Sequence, residues 1–140
     1  MNSDQMMKDI LLSTRTIASV GLSSNMEKES YWIVSYLKEQ GYRIIPINPT
    51  ADEILGEKTY PDLESVPEKI DVVQVFRRPE DVPPVVDSAI KVGAKVVWMQ
   101  EGIVHEEAAQ KAREAGLQVV MDACMRMTHR RLIGPRLLSV

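Results

Sequence analysis

The residues best suited to chemistry in this chain are Gly21, Leu22, Ser23, Ser24 and Asn25, which follow the apolar run Ile17-Ala18-Ser19-Val20 and precede a helical pattern. A strand that breaks at a glycine lets a ligand come close to the backbone. Small hydroxyl and amide residues before a helix start, with its unpaired N–H groups, suit an anion. The spacing predicts a cradle for phosphate. The plainer alternative is an ordinary strand-to-helix turn, because Ser24-Asn25-Met26-Glu27 also fits the S-x-x-E capping box.

Three phrases share a grammar that says how such a turn is held: Gly41-Tyr-Arg-Ile-Ile-Pro-Ile-Asn48, Gly93-Ala-Lys-Val-Val-Trp-Met-Gln100 and Gly116-Leu-Gln-Val-Val-Met-Asp-Ala123. Each glycine follows a helical stretch and sits where a helix needs a positive φ to end. The β-branched runs after them suit strands buried on both faces of a parallel sheet. The intervening helices read from spacing. Ile33, Val34 and Leu37 share one face, Val82, Val85, Val86, Ala89 and Ile90 another, and Ala108, Ala112 and Ala115 form a close-packing stripe beside an exposed Glu107/Lys111 pair. Asp71 to Phe76 adds a strand, and residues 49–70, with prolines at 61 and 67, read as a loop with a short helix.

The resulting fold class is α/β: a Rossmann-like, doubly wound sheet of five parallel strands, expected in the order 3-2-1-4-5, with helices on both faces. Residues 1–140 read as a single domain, with 1–14 an N-terminal helix and 124–140 a C-terminal helical tail packed through Met125, Leu132 and Ile133. Ligands of such sheets bind at the carboxyl ends of the strands, where the winding reverses. In the expected order that crevice lies between strands one and four. The strand ends supply Gly21 to Asn25, then Asn48, Pro49 and Thr50, then Phe76, Arg77, Arg78 and Pro79, then Gln100, Glu101 and Gly102, and last Asp122-Ala123-Cys124. Glycine and hydroxyls suit phosphate, the arginines suit phosphate or carboxylate, and side-chain amides suit a base or amide-bearing ligand. Competing structural roles are an ion pair of one arginine with Glu80 or Asp81, a simple turn at Asn48-Pro49, core packing for Trp98, a helix cap for His105 and a small buried thiol for Cys124.

Composition removes several classes. Seventeen basic and 20 acidic residues give a formal charge of −3, which argues against a sequence-independent nucleic-acid binder. One cysteine and two scattered histidines make no disulfide and no metal-site pattern, and a reducing cytoplasm fits them. The first 13 residues are too charged and too short for a signal or spanning segment, so no membrane association is expected. The basic tail, with Arg126, His129, Arg130, Arg131 and Arg136, could meet an anion or a partner, and a homo-oligomer or protein partner stays open. A dinucleotide site would require G-x-G-x-x-G after strand one and an acid after strand two. One glycine and Asn48 stand there instead, leaving an NAD(P)-binding domain as the alternative and a ligand-free interaction module as the second.

Taken together, Val20-Gly21-Leu22-Ser23, Ser30-Tyr31, Leu37 to Pro49, Gly56-Glu-Lys-Thr-Tyr-Pro61, Val75-Phe-Arg-Arg-Pro79, Val97 to Ile103 and Met121-Asp-Ala-Cys-Met125 resemble the CoA-binding domain family. That domain occurs alone in small bacterial and archaeal proteins and as the N-terminal domain of the succinyl-CoA synthetase alpha subunit. The resemblance implies binding of coenzyme A, free or acylated, by its ADP part. It places the nucleotide on Gly21, Ser23, Ser24 and Asn25, a phosphate near Lys28, and the nucleotide end near Trp98, Met99 and Gln100. Glu27 and Glu29 flank Lys28 and depart from a basic loop. The synthetase's phosphohistidine belongs to a second domain without counterpart in these residues. The expectation is therefore a binding module with no catalytic step and no metal, its phosphates on the turn and a cation, its adenine on the residues after strands two to four.

Overall fold

Short β-branched runs alternating with amphipathic stretches dictate a layered α/β architecture, and the computed structural model, which describes residues 2–135, has one. In chain order the elements are α1 (Asp4–Ser13), β1 (Thr16–Val20), α2 (Glu29–Glu39), β2 (Arg43–Ile47), the two-residue strands β3 (Glu53–Ile54) and β4 (Glu57–Lys58), β5 (Val72–Val75), α3 (Val82–Lys91), β6 (Val96–Met99), α4 (Glu106–Glu114), β7 (Gln118–Val120) and α5 (Met125–Leu132). Short 3-10 turns occupy Leu63–Ser65 and Pro79–Asp81. Gly41, Gly93 and Gly116 all take positive φ, as the helix ends require.

The five longer strands are parallel and lie in the order β2-β1-β5-β6-β7. The fold class is the expected one, but the third parallel strand does not lie outside β2. It pairs with β1 on the other side, Ile17 opposite Val72 and Val20 opposite Val75, while the place outside β2 is held by Tyr60, which makes a parallel bridge to Ile47, an arrangement consistent with a 3-2-1-4-5 topology. The cause is the crossover from β2 to β5. It lays Leu63 and Ile70 on the face that also carries α3 and α4, whereas α2 packs on the opposite face. Because α2 leads away from β1 on one face, a right-handed crossover on the α3/α4 face must run back past β1. The winding therefore reverses between β1 and β5.

Alternation along each strand divides the core in two. Ile17, Ile44, Val72, Trp98 and Val120 pack under α1, α2 and α5, while Ala18, Ile45, Val73, Val97 and Val119 pack under α3 and α4. Full burial of each larger side chain contributes about 1.5–3 kcal/mol. The alanine stripe of α4 forms from Ala108, Ala109 and Ala112, with Ala115 exposed at the C-cap, and Lys111 pairs with Asp87 at 2.7 Å instead of Glu107. The tail packs through Met125 and Leu132, but Ile133 is exposed. Residues 136–140, including Arg136, lie outside the described residues.

The crossover holds a hairpin that the weak periodicity of residues 49–70 concealed. β3 and β4 pair antiparallel around Leu55 and Gly56, both at positive φ, and Arg43 secures the region by ion pairs of 2.7 Å to Glu57 and to Glu68. Each sheet edge has its own guard. On β2, Pro46 lacks an N–H and its carbonyl accepts the Tyr60 N–H at 3.0 Å. Beyond β7, the side chain of Asn2 donates to Met121 O at 2.6 Å and accepts Met121 N at 3.3 Å.

Candidate functional site

At the β1/β5 reversal two loops leave the sheet toward opposite faces, and Gly21 is where they meet. Its φ is +87°, and a Cβ there would stand 3.2 Å from Phe76 O and 3.3 Å from Arg77 Cδ and Nε. Only glycine fits such a crossing without displacing its neighbours. The turn beyond it is shaped by its own side chains. Asn25 N donates to Ser23 Oγ (3.0 Å), Glu27 N to Asn25 Oδ1 (2.9 Å) and Ser23 N to Ser30 Oγ (3.3 Å). The capping box does not form. The helix begins later, at Glu29, with Lys28 as an N-cap that makes no side-chain cap bond. Leu22 is fully buried and anchors the turn, Ser24 and Asn25 are exposed, and Lys28 is exposed with no ion pair among the described residues.

Asn48 joins this turn to the loop after β2. Its Nδ2 donates to Leu22 O at 3.1 Å, and its Oδ1 accepts Thr50 N, Thr50 Oγ1 and Ala51 N at 2.8–3.0 Å. It holds the site's shape with both side-chain polar atoms engaged, and Pro49 stands exposed beside it. Of the arginine pair, Arg78 is tied to Asp81 at 3.2 Å, whereas Arg77 is exposed and has no ion pair among the described residues. Arg131 of the tail pairs with Asp4. Arg126 keeps a buried Nε without a partner, and with Arg130 it opposes the effect of burial, which raises the pKa of Tyr36.

After β6 the expected residues separate. Trp98 and Met99 are fully buried, the indole donating to Ala123 O at 2.8 Å, and they present no surface to a ligand. Gly102 is exposed, but its N–H is held by Asp122 Oδ1 at 2.6 Å; Asp122 itself adopts φ +56° and returns its N–H to Ile103 O. That tie was hidden in the sequence, where an acid after a strand has many uses. His105 caps α4, its Nδ1 accepting Ala108 N at 3.0 Å. Gln100 remains at the edge, joined to a buried string: Ser19 Oγ donates to Gln74 Oε1 (2.7 Å), Gln74 Nε2 to Gln100 Oε1 (3.1 Å), and Met125 N to the same oxygen (3.1 Å).

Two cavities flank the Gly21 crossing. One, of about 440 Å³, opens on the α3 face between Val20, Ile47, Pro61, Leu63 and Arg77. The other, about 130 Å³, opens on the α2/α5 face and is bounded by Ser30, Ile33, Phe76, Gln100 and Cys124. The consecutive residues Phe76 and Arg77 thus serve one cavity each. Pro61 and Leu63 were not foreseen, although Asp62 caps the 3-10 turn through Ser65 N (2.8 Å) and Pro-Asp is a readable turn signal. Among the described residues no three His, Cys, Asp or Glu groups could hold a metal, and no helix is long and apolar enough to cross a membrane.

A Rossmann-like sheet with a glycine crossing at its reversal, and beside it an arginine without an ion pair among the described residues, defines a small-molecule binding class. More particularly, residues 15–130 match the CoA binding domain, and the chain belongs to that family. It is 42% identical over 122 residues to an uncharacterized protein of Bacillus subtilis called YneT, covering 87% of this chain and 90% of that one. It is 32% identical over 99 residues to an ADP-forming acetate–CoA ligase of Archaeoglobus fulgidus, covering 69% of this chain but 15% of the ligase. A hypothetical protein of Pyrococcus horikoshii superimposes with a TM-score of 0.92 at 42% identity over 95% of this chain and 94% of that one. An acetyl-coenzyme A synthetase of Ca. Korarchaeum cryptofilum, solved with phosphate and ADP, gives a TM-score of 0.68 at 32% identity, covering 74% of this chain and 25% of the synthetase.

Proposed function

We propose that this protein binds coenzyme A, free or acylated, by its ADP part at the β1/β5 reversal, and that it performs no catalytic step of its own. The observation that carries this reading is the Gly21 crossing, where a positive φ and a Phe76 carbonyl that would stand only 3.2 Å from a Cβ coincide with an exposed Arg77 that has no ion pair among the described residues. A diphosphate lying over Gly21 would meet the Ser23 and Ser24 hydroxyls and those backbone N–H groups of the Gly21–Asn25 turn that are not already engaged, with Arg77 and Lys28 neutralising its charge. The cavity between Ile47, Pro61 and Leu63 offers apolar walls for adenine, with Asp62 and Asp81 at its rim as acceptors for an amino group. Family membership supports coenzyme A as the ligand. NAD(P) is disfavoured because Asn48, whose side-chain polar atoms are both engaged, stands where a ribose-binding acid is needed. A cytoplasmic location goes with this reading.

Isothermal titration tests it. Coenzyme A and its dephospho form are expected to bind measurably while NAD and NADP do not, and silence with both coenzyme A forms would sink the proposal. Mass spectrometry of nucleotide released from the purified protein on denaturation gives an independent answer.

A further inference from the structure

The smaller cavity contains a donor whose orientation is fixed from the core. A backbone N–H can only donate, so the Gln100 atom 3.1 Å from Met125 N is the carbonyl oxygen. The same oxygen takes Gln74 Nε2, and Gln74 Oε1 in turn takes the Ser19 hydroxyl. Turning the Gln100 amide over would set donor against donor at Met125 N, and turning the Gln74 amide over would set its oxygen against the Gln100 oxygen. Ser19 and Gln74 are fully buried and Gln100 is only 4% exposed, so the string is rigidly enclosed. Gln100 Nε2 is left with no partner among the described residues, and it is not among the atoms sealed inside the protein. Gln100 lines the smaller cavity.

We infer that Gln100 Nε2 receives a carbonyl oxygen of an uncharged ligand arm in this cavity, with Ser19 and Gln74 as positioning residues behind it. The group must accept, because the nitrogen has only hydrogens to give. It must be neutral, because Glu29 and Glu101 also line the cavity and would repel a phosphate or carboxylate. It must be small: about 130 Å³ is the space of roughly four waters, which accommodates one amide or thioester unit. The inference rests on the coenzyme A reading, since an anionic end beside Arg77 need only cross Gly21 to lay the amide-bearing pantetheine arm against Phe76 and Gln100. It assigns Gln100 to the arm and not to adenine.

The test compares coenzyme A with 3′-phospho-ADP, the same nucleotide without the arm, on the full chain. In ¹⁵N-labelled wild-type protein the Gln100 side-chain amide resonances should shift with coenzyme A and stay in place with 3′-phospho-ADP. Gln100→Glu keeps an acceptor for Met125 and Gln74 but loses the donor at neutral pH. It is expected to weaken coenzyme A about tenfold while leaving 3′-phospho-ADP unchanged. Gln74→Met should lower the same ratio by a smaller factor. If wild type binds neither ligand, the coenzyme A reading itself falls. If it binds both equally, or if Gln100→Glu weakens both alike, that reading stands and the arm site is overturned. Should Gln100→Glu not fold, the wild-type resonances decide: a shift with both ligands, or with neither, overturns the inference.

Discussion

Gly21 and Asn48 illustrate how a binding site depends on residues that need never touch the ligand through a side chain. Gly21→Ala would place a methyl 3.2 Å from Phe76 O at a φ of +87°. The expected cost is about 1–2 kcal/mol in chemical denaturation, together with loss of coenzyme A binding in titration. Asn48→Ala removes the link between the loops after β1 and β2 and should cost about 2 kcal/mol by the same measurement. Arg77→Ala should leave stability nearly unchanged, since the side chain is exposed and without an ion pair among the described residues, yet weaken coenzyme A about tenfold. At this scale the sequence was readable where a residue type has few uses. A glycine between a strand and a helix, or His105 before an alanine-rich helix, points in one direction. Trp98 and Met99 were less legible, because the alternation that buries both faces of a central strand leaves no outward position to betray which end meets solvent.

Among the elements, α5 depends most on a single titratable group. His129 is buried against Tyr36 and Tyr42, with Nδ1 2.8 Å from Tyr36 Oη and both tyrosine rings edge-on to the imidazole. Burial holds its pKa below the ordinary 6.5, and burial also pushes Tyr42 up to about 12. Since the unfolded chain takes up the proton first, stability is full above the unfolded pKa and declines as pH falls through it. Thermal unfolding should therefore show a lower midpoint at pH 5.5 than at pH 7.5, and His129→Gln should flatten that difference. Legibility at this scale followed period and length. The apolar faces of α2, α3 and α4 mark them as helices, whereas the two-residue strands β3 and β4 are too short to carry a period and resemble loop. The place of the strand at Val72–Val75 depends on which face the crossover covers, and Leu63 and Ile70 reveal that only once folded.

For the whole molecule, a formal charge of −3 sets a background that repels a polyphosphate, so attraction must come from the few cations at the crossing. Coenzyme A binding should weaken as salt rises from low to near-physiological ionic strength, and a Lys28→Ala/Arg77→Ala double variant should remove most of that dependence in titration. The doubly wound architecture itself was plain from three repeated helix–glycine–strand phrases. The strand beside β1 at the reversal, which is β5, was not.

The paired bonds of Asn2 with Met121 place a side-chain amide where a neighbouring strand would otherwise dock. One residue at the margin of α1 thereby acts as a stopper against sideways growth of the sheet, a form of colloidal protection that folding stability does not measure. Asn2→Ala should leave the unfolding midpoint almost where it was and instead raise light scattering on prolonged warming, as exposed β7 edges find one another.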